Sequence, residues 1–505
     1  KINMNKFYIT TPIYYVNDKL HIGHAYTTIA ADVLARYHRL RGDEVFFLTG
    51  SDEHGSKVAE SAKEANQDIK EFCDDNSAKF QMAWDRLNIS NDHFIRTTSL
   101  QHKTGVEKFL NKLKEVGAIY KGDYQGLYCT GCERFITEKE LVDGLCPDHK
   151  KAPEVLKEKN YFFKLKDYLP QIAELINEGE LKILPANKNH EVLGLIKQGL
   201  DDFSISRESV KWGIKIPFDD SQITYVWVEA LQNYITGLGY GLDGDNFHKF
   251  WPADVHLIGK DIIKFHALYW PAMLLAVGLP LPKVIFAHGF FTVDGEKMGK
   301  SLGNVIDPEE LVDVFGSDAV RYLLLSQFPF GADGDVKAGN FVIQYNSDLA
   351  NGLGNLTSRV LSMAEKYLDG VVPAKDFEFS DEVVGIWHQY QDAMQSFKID
   401  DVIEIIRKLN SFADGYVERQ KPWQLAKDGD KEQLSKVIYN LLECIRHLAL
   451  MVYPIMPETT EQIFKYLNQA DWKNHDFKEL IDWGGLEPGA KVEKARPLFP
   501  RLEKE

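Results

Sequence analysis

Cysteine is scarce in this chain: five occur in 505 residues, and three of them fall between positions 129 and 146. Thiols so few and so clustered exclude a disulfide framework and point to a metal site instead. Long apolar runs are lacking too. The longest, Ala267 to Pro282, is interrupted by Pro271 and Pro280 and falls short of the ~20 residues a helix needs to span a bilayer. The first residues run into strand-like sequence without the basic and then apolar pattern of a signal peptide, so the expected setting is the cytoplasm, with no membrane partner. Basic charge is in deficit: 59 Lys and Arg stand against 75 Asp and Glu, a net −16. That balance disfavours a protein that coats nucleic acid through bulk charge. Any polynucleotide must be met by local basic and aromatic patches on an acidic body. Internal repeats and low-complexity tracts are absent.

What is present reads as about three domains. Lys6 to Pro12 is strand-like, Ile29, Val33, Leu34 and Tyr37 follow at helical spacing, and Val45 to Gly50 is a short apolar strand ending in a glycine loop. Strand, helix, strand opens a parallel α/β sheet. Residues 56–90 and 100–117 are predicted as helices. From about Tyr120 to Lys215 the sequence turns to short strands, turns and the cysteine cluster, which predicts an insertion. Buried strands at Trp251–Gly259 and Lys283–Gly289, separated by a helical Ile262–Leu275, then resume the α/β order. Beyond about Asn346 apolar stripes at three and four spacings predict a helix bundle: Leu349, Leu353, Leu356, Val360, Leu361; Val402, Ile405, Ile406, Leu409; Leu434, Val437, Ile438, Leu441, Leu442. The expected boundaries are 4–118 and 225–345 for the two halves of one α/β domain, 119–224 for the inserted domain and 346–505 for the helical domain.

His21-Ile-Gly-His24 sits after a strand at the start of a helix. Gly23 lets a ligand approach the backbone, and a helix N-terminus offers unpaired N–H groups to an anion. Alone, this corner is equally well read as two helix-capping histidines. Gly295-Glu-Lys-Met-Gly-Lys-Ser301 fails as a phosphate-binding P-loop because Asp294 stands where glycine is required. A loop with Lys297 and Lys300 remains, able to neutralise a triphosphate, although alone it reads as a solvated basic turn. Cys129-Thr-Gly-Cys132 followed by Cys146-Pro-Asp-His149 has the spacing of a Cys3His zinc knuckle, a closed structural set with no open position for catalysis. Cys73 and Cys444, in helical apolar surroundings, read as core.

Together the first two motifs resemble those of class I aminoacyl-tRNA synthetases: His21–His24 matches the HIGH motif and Lys297–Ser301 the KMSKS motif, with Gly299 where serine is usual. Within the class the chain resembles the methionyl-tRNA synthetase family over nearly its whole length, in a short form with a single zinc knuckle. The strings that carry this are Thr10–Tyr15, Gly50–Gly55, Tyr225–Ala230, Gly259–Ile262 with Phe265, His266 and Trp270, and, in the helical region, Asn355–Arg359 and Lys421-Pro-Trp423.

The resemblance implies an α/β fold: a Rossmann-type parallel sheet split by a zinc-containing inserted domain and followed by an all-α anticodon-binding bundle. It implies ATP-dependent joining of L-methionine to methionine tRNAs through a methionyl-adenylate. His21, His24, Lys297, Lys300 and Mg²⁺ surround the phosphates, Gly23 and Gly259 allow close nucleotide approach, and Asp261 holds the ribose. Ile13, Tyr15, Trp227, Ala230, Leu231, Tyr234, Ile262, Phe265 and His266 form an aromatic pocket suited to a polarizable thioether, and Asp52 pairs with the ammonium. Asn355, Arg359 and Trp423 meet the anticodon. Leucyl, isoleucyl, valyl and cysteinyl enzymes are the rivals within the class; the three aliphatic ones are disfavoured because one methylene discriminates only ~10–200-fold, so they need a large editing insertion. A nucleotidylyltransferase would have no use for the helical tail, and a non-catalytic tRNA-binding paralogue would not need the His21, His24, Lys297, Lys300 and Asp52 set. A monomer is expected.

Overall fold

The computed structural model describes residues 5–17, 20–129, 134–136, 138, 141–147, 150–242, 244–293, 295–298, 304–337 and 339–503. Its first third alternates β1 (Lys6–Tyr15), α1 (Ile22–Leu40), β2 (Glu44–Asp52), α2 (Ser56–Glu64), α3 (Ile69–Arg86), β3 (His93–Arg96) and α4 (Leu100–Glu115). The helix expected over 56–90 is two helices. Asn66 takes a left-handed φ of 53°, and Asp68 restarts the chain by accepting from Lys70 N and Glu71 N at 2.9 and 3.3 Å, a capping arrangement that side-chain periodicity does not encode.

Next come β4 (Ile119–Cys129), β5 (Arg134–Ile136), β6 (Glu154–Phe163), α5 (Leu169–Glu178), β7 (Lys182–Leu184), α6 (Ala186–Gln198), β8 (Phe203–Ser204), β9 (Ser206–Arg207), β10 (Lys215–Ile216) and β11 (Asp219–Thr224). β4 and β6 form a long antiparallel ladder, from Ile119 opposite Phe163 to Tyr128 opposite Glu154, flanked by β5 and β8. The segment expected as one insertion, 119–224, departs from that expectation at β7, which pairs in parallel with the core sheet. Only three residues long, β7 is too short for periodicity to reveal.

The chain continues through α7 (Val226–Leu231), α8 (Asn233–Thr236), α9 (Asp245–Phe250), β12 (Val255–Gly259), α10 (Trp270–Val277), β13 (Val284–His288), β14 (Phe291–Val293), β15 (Glu296–Lys297), α11 (Pro308–Phe315), α12 (Ser317–Leu325) and β16 (Gly334–Val336). The core sheet runs β3-β2-β1-β12-β13-β7, all in parallel. β1, β12 and β13 are buried along nearly their whole length, which is why they read as continuous apolar runs. Sequence order reverses between β1 and β12. In an open parallel sheet the crevice outside the carboxyl ends at such a reversal is where ligands bind, and His21 follows β1 while Gly259 ends β12.

The helical region holds α13 (Asn340–Gln344), α14 (Asn355–Leu368), α15 (Ser380–Gln395), α16 (Ile399–Gln420), α17 (Pro422–Asp428), α18 (Lys431–Val452), α19 (Pro457–Tyr466) and α20 (Phe477–Ile481). The apolar stripes of α14, α16 and α18 are buried as their spacing predicts. Before α14, Tyr345–Gly354 winds wider than an α-helix and breaks at Gly352 (ψ −107°). One apolar core runs from α1 into the bundle. Across it Arg321 of α12, fully buried, reaches Asp32 of α1 (2.7 Å), Ile455 O (2.7 Å) and Pro454 O (2.9 Å). Among the described residues no helix is long and apolar enough to cross a membrane.

Candidate active site

His21 caps α1. Its Nδ1 accepts from Gly23 N (3.1 Å), and His24 Nδ1 accepts in return from His21 N (3.3 Å), so the two rings stack with centroids 3.8 Å apart. With Nδ1 accepting in both rings, the neutral form carries its proton on Nε2. Burial first, and the neighbouring His21 second, push the His24 pKa well below the usual imidazole value, so His24 is an uncharged donor at neutral pH. The reading as helix caps and the reading as a ligand corner are therefore compatible, because capping uses only the Nδ1 atoms.

Gly23 has a steric reason. A β-carbon there would sit 2.9 Å from His21 Cε1 and 3.7 Å from Met298 Cε, which also places the second motif against the first. Ile22 N donates to Ile306 O (3.1 Å), fastening the chain beyond that loop to the start of α1. Lys297 pairs with Thr292 in the β14–β15 hairpin. Its side chain, Gly299, Lys300 and Ser301 lie outside the described residues.

Across the reversal, a β-carbon on Gly259 would stand 2.7 Å from Asp261 Oδ1, and Asp261 is exposed at the carboxyl end of β12. Behind this edge lies the predicted pocket. Trp227 of α7 and Phe265 stack at 4.1 Å, 8° from parallel. Tyr234 OH donates to His266 Nε2 (2.6 Å) while His266 Nδ1 faces Ile262 O (3.0 Å). A carbonyl only accepts, so the ring proton is on Nδ1. Burial lowers the His266 pKa to about 4, leaving the ring neutral. Leu231, Tyr234 and Phe265 share one apolar cluster, with Ile13, Tyr15, Trp227 and Ile262 packed against it; Ala230 is buried beside Leu231. Asp52, almost wholly buried at the end of β2, stands opposite Tyr15. The structure thus gathers the predicted pocket residues from four elements, β1, β2, α7 and α8, and from the segment after β12.

Several groups around this pocket escape sequence reasoning. Glu229, two residues after Trp227, contacts His54 Nδ1 and His102 Nε2, both at 2.8 Å. Burial opposes its charge, but His54 and His102 outweigh burial and bring its pKa down to about 2. Glu53, beside Asp52, is buried and paired with Arg96 (2.6 Å). Arg207 lies over the Tyr225 ring at 4.0 Å and 5.7 Å from that of Tyr128. Glu53, His54 and Glu229 lie within the Gly50–Gly55 and Tyr225–Ala230 strings, which marked the segments but gave these side chains no role. His102 and Arg207 lie in no recognisable motif.

Of the predicted zinc ligands, Cys129 and Cys146 are buried thiols packed together with Ile136; Cys132 and His149 lie outside the described residues. Among the described residues no group of three or more His, Cys, Asp or Glu is placed to hold a metal. The two visible thiols fit half of a tetrahedral set.

Asn355 is exposed at the start of α14 and Arg359 follows one turn later. The Arg359 guanidinium is 5.5 Å from the Trp423 ring and pairs with Asp414 (3.3 Å) and Glu418 (2.5 Å) of α16. Lys421, at φ 46° before Pro422, turns the chain sharply between α16 and α17, which presents Trp423 at 40% exposure.

Two family models match the chain: one described as tRNA synthetases class I (M), over residues 7–153 and 149–361, and one as the anticodon-binding domain of tRNA ligase, over residues 378–494. The methionine–tRNA ligase of Caldanaerobacter subterraneus subsp. tengcongensis is 46% identical over 507 residues, covering 99% of this chain and 79% of that protein. That of Thermotoga maritima is 44% identical over 509 residues, covering 99% and 80%. The solved Mycobacterium tuberculosis methionyl-tRNA synthetase in complex with methionyl-adenylate superposes with a TM-score of 0.94 at 39% identity, covering 99% of this chain and 100% of that one. The free-state form gives 0.86 at 37% identity, covering 99% of each.

Proposed function

The chain belongs to the methionyl-tRNA synthetase family, and we propose that it joins L-methionine to methionine tRNAs in two ATP-dependent steps at the corner between β1 and β12. The observation that carries this is the meeting of the two motifs, with Met298 against Gly23, at the reversal of the sheet and in front of the Trp227–Phe265 pocket.

In the first step the methionine carboxylate attacks the α-phosphorus of ATP in line and pyrophosphate leaves. A carboxylate is already a nucleophile at neutral pH, so the site needs no general base and acts by positioning and charge stabilisation. The Nε2–H groups of His21 and of the neutral His24 donate to phosphate oxygens, and Lys297 and Lys300 neutralise the developing charge. When bound with ATP, Mg²⁺ would supply a further counter-charge. Gly23 and Gly259 leave room for the nucleotide, and Asp261 accepts from the ribose. Asp52 pairs with the substrate ammonium, while Ile13, Tyr15, Trp227, Ala230, Leu231, Tyr234, Ile262, Phe265 and His266 enclose the thioether. In the second step the 2′-hydroxyl of the terminal adenosine of tRNA attacks the adenylate carbonyl and AMP leaves. Asn355, Arg359 and Trp423 read the anticodon.

Cys129, Cys132, Cys146 and His149 would hold one structural zinc, which would fasten the end of the β4–β6 ladder. Elemental analysis of protein purified without chelator is expected to give one zinc per chain, and none would refute the assignment. The protein acts as a monomer in the cytoplasm. The decisive test of function is ATP–pyrophosphate exchange with each of the twenty amino acids: methionine is expected to support it best, and another preferred amino acid would overturn the reading.

A further inference from the structure

Asp52 and Trp227 come to the pocket on separate elements, the end of β2 and α7, and a buried carboxylate spans the gap between them. Glu229 is fully buried. Its Oε1 lies 2.8 Å from His54 Nδ1 and its Oε2 2.8 Å from His102 Nε2; His102 Nδ1 meets Thr236 Oγ1 of α8 at 2.7 Å. His54 follows Asp52 by two positions. Its ring packs edge-on against Trp212, centroids 5.5 Å apart, and the Trp212 indole N–H donates to Glu53 O at 2.6 Å.

We propose that Glu229 is a positioning residue for methionine: through His54 it sets the separation between the Asp52 carboxylate and the Trp227 ring. A lone buried carboxylate is strongly unfavourable, and an apolar residue of similar volume would fill the space at least as stably. Retaining an acid there makes sense if it fixes a geometry, because a carboxylate accepts from two imidazole N–H groups along two defined directions. One of those directions leads to the Asp52 loop. The other leads to His102 of α4 and Thr236 of α8 rather than to the Asp52 loop, so the two arms have separable consequences.

The inference rests on Asp52 and Trp227 lining the methionine site. The test is pyrophosphate exchange on the full chain, with methionine and ATP varied separately. Glu229→Gln and His54→Gln are expected to raise KM for methionine about tenfold with KM for ATP little changed, since misplacing a substrate anchor weakens only its own ligand. His102→Gln cuts the other arm: it is expected to lower the melting temperature and leave KM for methionine unchanged. If Glu229→Gln does not fold, the contrast between His54→Gln and His102→Gln decides the matter. An equal rise in both, or a rise in neither, overturns the positioning role. Asp52→Asn, run alongside, tells the two failures apart: if it too leaves KM for methionine unchanged, the site assignment falls and the inference with it.

Discussion

At Gly23 one missing β-carbon separates two quantities that usually move together, stability and activity. Alanine is the better helix former by about 1 kcal/mol, and Gly23 is the second residue of α1. A β-carbon would nevertheless press on the His21 ring at 2.9 Å. Gly23→Ala is therefore expected to leave the melting temperature unchanged or slightly raised while pyrophosphate exchange falls ~10²-fold, the scale of an ångström-sized misplacement of a reacting group. Exchange at the wild-type rate would show that the ring moves aside freely. The histidines also set an acid limit on stability. Burial holds His266 and His288 at about 4 and His24 well below its usual value. Below pH ~6.5 the unfolded chain takes up protons that the folded chain refuses, so stability falls towards pH 4 by up to ~1.4 kcal/mol per pH unit for each such histidine. Melting temperatures at pH 7, 6 and 5 should decline in that order. A flat series would mean that these rings are protonated in the folded state.

Among elements, the α14–α16–α17 corner makes a prediction that separates reading RNA from activating methionine. Arg359 and Trp423 sit together there, and stacking an unpaired base on an aromatic is worth ~1–3 kcal/mol. Trp423→Ala is expected to reduce charging of tRNA bearing the CAU anticodon roughly ten- to a hundredfold, with pyrophosphate exchange nearly untouched. Parallel loss of both would identify Trp423 as a packing residue. The stripes of these helices were legible in the sequence because each covers several turns, and the strands β1, β12 and β13 because apolar residues predominate in them. The split between α2 and α3 was not, since it depends on the left-handed Asn66 and the capping Asp68. Nor was β7, whose membership of the sheet is decided by pairing with β13. In the candidate site, motifs pointed to His21, His24 and the residues around Trp227, whereas Glu229, His54 and His102 form a network only through contacts far apart in sequence.

For the molecule as a whole, the question is what fixes the bundle to the α/β body so that a contact at Trp423 bears on a reaction beside His24. Shared apolar surface joins them, but apolar contacts allow sliding; directional ties come from Thr459 N–H donating to Asp318 Oδ2 (2.6 Å), from Arg407 donating to Tyr322 OH (2.9 Å) and, with the most partners, from Arg321. Its guanidinium bonds Asp32 of α1, the carbonyls of Pro454 and Ile455 between α18 and α19, and Leu87 O (3.1 Å) after α3. Burial disfavours the Asp32 charge, yet Arg321 and then Arg36 outweigh it and hold its pKa below the ordinary value. Arg321→Met is of similar volume and leaves four carbonyls, those of Leu87, Asn88, Pro454 and Ile455, without that donor, and Asp32 keeps Arg36 (2.7 Å) and Ser90 N (2.7 Å). Breaking a buried pair by removing one partner costs about 3–5 kcal/mol. The variant is therefore expected to melt well below the parent. At 25 °C, where it remains folded, the bundle's orientation should loosen before the catalytic corner does: exchange stays near the parent rate while KM for tRNA in charging rises about tenfold, as expected when a positioning contact distant from the chemistry is lost. Equal falls in exchange and charging would mark Arg321 as a general stabiliser. An unchanged KM for tRNA would mean that the apolar core and the remaining polar ties hold the bundle in register without Arg321.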